Sequence, residues 1–316
     1  MAAKDRRAAE ALRVAKMYYQ QDRSQSEISK ELSISRPTVS RLLRYALDTG
    51  LVRIEIGDPG ETAEQMADEL LQRYNLRHVI VVPTRNIAPA DRLDTVGHAA
   101  ASYIESIVRD DDIIGIGWGR TVHSVGEHLA PKDVRGVTVV QIKGSASNTE
   151  HNNYGFESAN AFANAFHTLP QYLPLPVIFE QEQTKALVER ETYIRHIADM
   201  GRRANIAVFT VGTVRDSAML FRLGYLSQRE QSHLQATAVG DVVSRFVDID
   251  GRVVDEDINR RTIGIELADL KATPHSILVV ASTAKVPATR AAVVAGYANT
   301  LVIDEDSAQD LLSFEN

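Results

Sequence analysis

The chain has 316 residues, of which 44% are hydrophobic and 24% charged, a composition typical of a globular protein long enough for two domains. It contains no cysteine, which excludes disulfide bonds, thiolate catalysis and cysteine-ligated zinc and fits a reducing cytoplasm. The net charge is −7, yet residues 1–57 carry +4 and the rest carries −11, so a nucleic-acid-binding surface is expected only in the N-terminal part.

The N-terminal part is predicted to be helical. Residues 5–22 form an opening helix, and residues 24–48 form two short helices whose apolar side chains recur at helical spacing. Ser24 with Glu27 matches a capping box, and Ser35 is placed to cap the second short helix. This stretch therefore predicts a helix–turn–helix.

The polar side of the second short helix is predicted to bind DNA, because basic and hydroxyl side chains there can reach phosphates and base edges in the major groove. An ordinary helical hairpin with a solvated polar face is the alternative. Residues 51–56 alternate like a short strand, which favours a winged variant of the motif. The predicted DNA-binding residues are Ser35, Arg36, Thr38, Ser40, Arg41 and Arg44.

A cluster of helix-breaking residues at 57–60 is predicted to be a linker. It separates a DNA-binding domain at residues 1–57 from a second domain at residues 58–316. The second domain is expected to begin with an amphipathic helix over residues 61–75.

From residue 78 onward, short β-branched runs alternate with helical segments, which predicts an α/β domain with a doubly wound parallel sheet covered on both faces. Residues 170–176 contain three prolines and are predicted to be a loop. Residues 240–254 are predicted to form an extra antiparallel hairpin with an Asp-Gly turn.

Several predicted strands end in glycines, cations or hydroxyl side chains. Ligands of open α/β sheets bind beyond the carboxyl ends of the strands, where glycines admit a ligand and helix N-terminal amides attract anions. Plain strand-to-helix turns that need small residues are the alternative. The predicted effector-binding residues are Gly117, Gly119, Arg120, Thr121, Lys143, Gly144, Gly212, Asp248 and Lys285.

Lys143 ends an apolar strand, just before a Gly-Ser turn. Desolvation lowers the pKa of an ammonium group, which would make this lysine a nucleophile toward aldehydes. A lysine that reaches solvent or binds phosphate remains an open alternative. Residues 148–153 follow and could line its pocket or form a polar loop.

Other classes of site and of location are disfavoured. The histidines are scattered without metal-ligand spacing, and no G-x-S-x-G elbow is present, so no metal, cofactor or hydrolase site is predicted. No apolar run approaches the ~18 residues of a membrane span, and the N-terminus lacks the apolar core of a secretory signal. A cytoplasmic protein without membrane contacts is expected.

Three segments resemble the SorC/DeoR-type sugar-responsive bacterial transcription regulators: VAKMYYQQDRSQSEISKELSISRPTVSRLLRYALDTGLVRIEI, GIGWGRT and ASTAKVPATRAAVVAGYANTLVID. The resemblance implies a helix–turn–helix domain followed by an effector domain that is similar to sugar-phosphate isomerases. It also implies operator binding as a homo-oligomer, a dimer of dimers, and release by a phosphorylated sugar.

Within this family, QIKGS resembles the deoxyribonucleoside-responsive members, which implies a Schiff base between Lys143 and deoxyribose-5-phosphate. The sequence is thus interpreted as a repressor of deoxyribonucleoside or sugar catabolism. The alternatives are a sugar-phosphate isomerase or Schiff-base aldolase, and a constitutive DNA-binding protein whose second domain only oligomerises. An aldolase needs a proton-transfer partner beside Lys143, and the sequence does not show one convincingly.

Overall fold

The computed structural model describes residues 2–52, 59–146 and 152–314. The chain divides into two compact units, Met1–Asp58 and Pro59–Asn316. The first unit contains helices α1 (Ala2–Tyr19), α2 (Gln25–Glu31) and α3 (Arg36–Asp48).

The predicted helix–turn–helix is confirmed, and local chemistry sets its boundaries. Ser24 and Glu27 form the capping box at the start of α2. Ser35 caps α3 by accepting a hydrogen bond from the amide of Thr38. Ile28 and other fully buried apolar side chains of the three helices form the core of this unit. The predicted wing strand lies outside the described residues from residue 53 onward.

The second unit contains nine strands among its described residues. They are β1 (His78–Val82), β2 (Ile113–Ile116), β3 (Thr138–Gln141), β4 (Pro170–Gln171), β5 (Ile206–Phe209), β6 (Gly240–Val242), β7 (Arg245–Val247), β8 (His275–Val280) and β9 (Thr300–Asp304).

The helices of this unit alternate with the strands, and a short 3-10 turn at Thr283–Lys285 precedes one of them. The helices are α4 (Pro59–Arg73), α5 (Arg92–Ile107), α6 (Arg120–His128), α7 (Gly155–Ala165), α8 (Glu182–Val188), α9 (Thr192–Arg202), α10 (Met219–Arg222), α11 (Gln228–Thr237), α12 (Glu256–Arg261), α13 (Leu267–Ala272), α14 (Val286–Val294) and α15 (Glu305–Leu312).

Seven strands form one parallel sheet in the order β1-β9-β8-β5-β2-β3-β4. Alternate side chains of β8 bury on opposite faces: Ile277 packs with α5, α6 and α7, whereas Leu278 packs with α4, α14 and α15. The prediction of a doubly wound parallel sheet is therefore confirmed.

The prediction of a loop over residues 170–176 was wrong at its start. Pro170 and Gln171 form the edge strand β4, paired with Val139 and Val140 of β3. A proline is tolerated there because an edge strand leaves one row of backbone groups unpaired.

The antiparallel hairpin expected at 240–254 is present as β6 and β7. Its tight turn is at Val243 and Ser244, both with positive φ, rather than at the Asp-Gly pair. Asp250 and Gly251 form a second turn beyond β7, where the amide of Gly251 donates to the carbonyl oxygen of Asp248.

Candidate functional site

The winding of the sheet reverses beside β2. From β2 the chain proceeds outward to β3 and β4, and it then returns to β5 on the other side of β2. Ligands of doubly wound sheets bind at this kind of reversal, beyond the carboxyl ends of the strands. Segments after β2, β3, β5 and β8 supply Trp118, Lys143, Gly212 and Lys285 to this edge, so most of the predicted effector-binding residues are brought to one region.

Lys143 is buried, with 5% of its surface exposed. Its ammonium nitrogen lies 3.7 Å from the ring centroid of Trp118. The indole nitrogen of Trp118 donates a hydrogen bond of 2.7 Å to the carbonyl oxygen of Gly144. Burial lowers the pKa of Lys143 from its ordinary 10.5 to about 8, and the negative charge of Asp241 partly opposes this shift. Lys143 is thus a desolvated amine held against an aromatic face.

Two glycines allow other backbone segments to approach Lys143 closely. A Cβ at Gly144 would lie 2.8 Å from the carbonyl oxygens of Leu175 and Pro176. A Cβ at Gly264, where φ is +134°, would lie 2.5 Å from the carbonyl oxygen of Ile142. Any side chain at either position would push the Lys143 segment out of place.

Arg245 anchors the segment that flanks Lys143. Its side chain is almost fully buried, and its Nε donates to the carbonyl oxygen of Ile265 at 3.0 Å. The two terminal nitrogens donate to Asn259 and to Glu266. Because residue 264 is bridged to Lys143, this buried guanidinium fixes the backbone that borders the lysine.

Lys285 lies at the start of α14 and is partly buried. Its ammonium group donates to the hydroxyl oxygens of Thr121, at 3.1 Å, and Thr210, at 2.8 Å. Burial lowers its pKa to about 8, while the charge of Asp241 raises it and the charge of Arg120 lowers it. The site therefore contains a second desolvated lysine.

Asp241, on β6, is a buried carboxylate with 4% of its surface exposed. Its Oδ2 accepts a hydrogen bond of 2.9 Å from the amide of Ser244. Burial raises its pKa, whereas the charges of Lys143 and Lys285 lower it. Gly212 makes room for this carboxylate, because a Cβ at residue 212 would lie 1.8 Å from Oδ1.

The amino end of α6 lies beside Lys285. Gly119 precedes the helix with φ at +121°, a conformation that favours glycine. Thr121 is buried and faces Lys285, while Arg120 is exposed. A Cβ at Gly117 would make only a van der Waals contact, 3.5 Å from the Cβ of Phe209 in β5. The arrangement places the amino end of a helix and an arginine beside the partly buried Lys285.

Asp248 is not brought to this site. Its carboxylate accepts hydrogen bonds from the amides of Asp250 and Arg252, which closes the turn after β7. That turn packs on the carboxyl end of α14 through Gly251, whereas Lys285 is at the amino end. Residues 148–151 of the predicted pocket loop lie outside the described residues. The side-chain amide of Asn153 donates a hydrogen bond to the carbonyl oxygen of Ser145.

The first unit presents the predicted DNA-binding side chains together. Ser35, Arg36, Ser40, Arg41 and Arg44 are exposed on or beside α3, and Thr38 is half-buried. A guanidinium nitrogen of Arg41 donates to the hydroxyl oxygen of Thr38 at 3.4 Å, a long bond that leaves the cation available. The opposite side of α3 is buried through Val39, Leu42, Leu43 and Ala46.

Comparison with known proteins decides what this combination is. Residues 58–313 match the Sugar-bind family of sugar-binding domains, and residues 9–49 match region 4 of sigma-70 factors. The deoxyribonucleoside regulator of Bacillus subtilis (strain 168) is 44% identical over 305 residues, covering 96% of this chain and 97% of the relative. The chain belongs to the SorC/DeoR family of bacterial transcription regulators.

Solved structures agree with this assignment. The full-length sorbitol operon regulator SorC from Klebsiella pneumoniae matches 96% of this chain and 98% of its own, with a TM-score of 0.74 and 26% identity. A domain of a possible sugar-binding transcriptional regulator from Arthrobacter aurescens TC1 matches 82% of this chain, with a TM-score of 0.73 and 29% identity. This SorC/DeoR-type protein is a DNA-binding transcription regulator of the sugar-operon type.

Three residues of the regulator's site were missed from the sequence: Trp118, Thr210 and Asp241. Trp118 lies within the GIGWGRT segment that carried the family resemblance, so its position was noted but its contact with Lys143 was not. Asp241 stands among apolar residues of β6, and an acid in such a run is a usable signal of a paired buried charge.

Two features are absent from the described residues of this regulator. No group of three or more histidine, cysteine or acidic side chains there could hold a metal ion. Within the same residues, no helix is long and apolar enough to cross a membrane.

Proposed function

We propose that this regulator represses genes of deoxyribonucleoside or sugar catabolism in the cytoplasm. Deoxyribose-5-phosphate releases it from the operator by forming a Schiff base with Lys143. The burial of Lys143 against Trp118, with its pKa lowered to about 8, is the observation that carries the proposal. The name of the Bacillus subtilis relative supports a deoxyribonucleoside-derived signal.

The lowered pKa of Lys143 matters because only a neutral amine attacks an aldehyde. At pH 7, about a tenth of an amine with a pKa near 8 is neutral, against roughly three parts in ten thousand for an ordinary lysine. The open-chain form of deoxyribose-5-phosphate carries the aldehyde that such an amine captures reversibly.

The phosphate of the sugar binds at the amino end of α6. Backbone amides near Gly119, the exposed guanidinium of Arg120 and the hydroxyl of Thr121 supply donors for an anion, whereas the amide of Gly117 already donates to the carbonyl oxygen of Val208. Lys285 adds positive charge beside them, since its ammonium group is already held by Thr121 and Thr210. The aldehyde at the other end of the sugar reaches Lys143, beside Gly144.

Operator DNA is bound by the exposed face of α3. One helix–turn–helix gives weak affinity, so we propose a homo-oligomer, a dimer of dimers, that pairs half-sites spaced by helical turns. The sugar releases DNA only if it binds the DNA-free arrangement more tightly than the DNA-bound one.

The test is a titration of the purified protein on promoter DNA with and without deoxyribose-5-phosphate, followed by borohydride reduction and peptide mass spectrometry. We expect release of the DNA and a reduced sugar-phosphate adduct on the peptide that contains Lys143. Lys143→Ala should retain DNA binding and lose both the adduct and most of the response to the sugar.

A matched control is Lys271→Ala, which removes an exposed lysine of α13 and should behave as the wild type. A normal response of Lys143→Ala to the sugar would refute the covalent mechanism. Release of DNA by other sugar phosphates, but not by this one, would refute the identity of the effector.

A further inference from the structure

The hairpin of β6 and β7 inserts one acidic side chain, Asp241, into the edge of the sheet that holds the buried Lys143 and the partly buried Lys285. Gly212, just beyond β5, lacks a side chain at the place where the carboxylate of Asp241 lies. The amide of Ser244 donates a hydrogen bond to one oxygen of that carboxylate. A buried carboxylate is costly unless it is compensated, and two positive charges interact with this one. The local backbone is therefore shaped around the carboxyl group of Asp241.

We propose that Asp241 transfers the protons that are needed to form and break the Schiff base at Lys143. This inference rests on the proposed covalent effector. It assigns a chemical role to a residue that the sequence did not mark, and it predicts that the rate of the response depends on a carboxyl group outside the nucleophile and the phosphate site.

Imine formation needs a group that accepts and returns protons twice. Asp241 first takes a proton from the ammonium of Lys143, and the free amine then attacks the aldehyde carbon. As the carbon–nitrogen bond forms, the π electrons of the carbonyl group move to its oxygen, which takes the proton back from Asp241. The product has a positively charged nitrogen with two hydrogens.

The carboxylate then removes one of those hydrogens as a proton, which leaves a neutral carbinolamine. Asp241 returns this proton to the hydroxyl group, the carbon–oxygen bond breaks, and water leaves as the nitrogen lone pair forms the carbon–nitrogen double bond. The cycle begins with an ammonium and a carboxylate and ends with an iminium, a carboxylate and water, so charge and atoms balance.

The neighbouring groups are less suited to this role. The hydroxyl oxygens of Thr121 and Thr210 already accept hydrogen bonds from the ammonium group of Lys285. That ammonium group cannot accept a proton while it is charged. Asp241 interacts electrostatically with both lysines. Among the described ion pairs, none joins its carboxylate to either ammonium group, so Asp241 is not held in a direct ion pair with Lys143 or Lys285.

The test is the rate of imine formation, followed by quenching with borohydride at successive times and measuring the adduct on Lys143. Asp241→Asn keeps the size and one acceptor of the side chain but cannot shuttle protons. We expect it to slow both formation and hydrolysis of the imine by about 100-fold, the lower range for general acid–base catalysis.

In Asp241→Asn, the final amount of adduct near pH 6 should change little. The nitrogen of Lys143 is positively charged both before the reaction and after it, so the carboxylate of Asp241 stabilises reactant and product to a similar extent. A purely structural role for Asp241 would instead reduce the amount of adduct bound at equilibrium. Asp199→Asn, an exposed acid of α9 next to the amino end of β5, is the matched control and should react at the wild-type rate.

A second variant keeps the inference testable if Asp241→Asn misfolds. Asp241→Ala should be slow, and added formate should restore its rate in proportion to the formate concentration. Cooperative urea unfolding, followed by the fluorescence of Trp118 in the same unit, verifies the fold of each variant. Wild-type rates in Asp241→Asn, or no effect of formate on a slow Asp241→Ala, would overturn the inference alone. The absence of any adduct in the wild-type protein would overturn the proposed function as well.

Discussion

Replacement of the buried Arg245 by methionine is expected to destabilise the effector-binding unit and to disorder the segment around Gly264 that borders Lys143. Methionine roughly matches the buried stem of the arginine but donates no hydrogen bond. The substitution leaves the carbonyl oxygen of Ile265 without the donor that satisfies it now, whereas the carbonyl oxygen of Asn259 still accepts from the amide of Thr262. Asn259 also loses the bond to its side-chain oxygen.

The magnitude follows from these partners. An unsatisfied buried acceptor costs about 1–3 kcal/mol, and removal of one partner of a buried charged network costs about 3–5 kcal/mol. Glu266 adds little to the loss, because 56% of its side chain is exposed and water replaces the guanidinium there. Burial also lowers the pKa of Arg245, which shows that its charge is held at a cost that methionine avoids. We therefore expect Arg245→Met to lower the free energy of unfolding by about 3 kcal/mol.

Trp118 makes the measurement specific. It is the only tryptophan in the chain, and it lies in the site, so its fluorescence during urea denaturation reports the unfolding of this unit alone. Glu266→Gln is the matched control, because it keeps an acceptor for Arg245 at an exposed position. We expect it to cost less than about 1 kcal/mol.

Equal losses for Arg245→Met and Glu266→Gln would refute this reasoning, since they would show that the solvent-exposed ion pair is the main contribution of Arg245. A loss below about 1 kcal/mol for Arg245→Met would show that packing of the methionine compensates for the acceptors left without a donor.

Three further predictions concern other parts of the molecule. Ser35→Ala removes the cap that accepts from the amide of Thr38 and should cost about 1 kcal/mol of helix stability, which lowers operator affinity in gel-shift titrations and leaves the Lys143 adduct unchanged. Gly212→Ala would place a Cβ 1.8 Å from Oδ1 of Asp241 and should therefore slow borohydride-trapped imine formation without preventing operator binding. Between pH 8 and 10.5 the unfolded chain binds more protons at Lys143 than the folded chain does, because its folded pKa is about 8. In urea titrations, the wild-type protein should gain stability relative to Lys143→Met as pH rises through this window, and a pH-independent difference would contradict the lowered pKa.

The sequence alone determined the elements whose signals are local. Ser24, Glu27 and Ser35 marked helix starts that the structure reproduces, because a cap involves only residues three positions apart. Alternation of short apolar runs with helices determined the parallel sheet, since strands buried on both faces must be apolar throughout. The rule that ligands bind beyond strand ends then placed Lys143 and Lys285 at the same edge.

The tertiary structure decided which other side chains meet them. Asp248 and Asp241 are seven positions apart in the same hairpin region, yet Asp248 closes its own turn and Asp241 faces the lysines. The difference depends on the pairing of β6 with the segment after β5 and on the missing side chain at Gly212, whose place the carboxylate of Asp241 takes. Neither feature has a local signature in the sequence. Strand order and close backbone approach are properties of the packed chain, so the carboxylate that completes the site became visible only when distant segments were brought together.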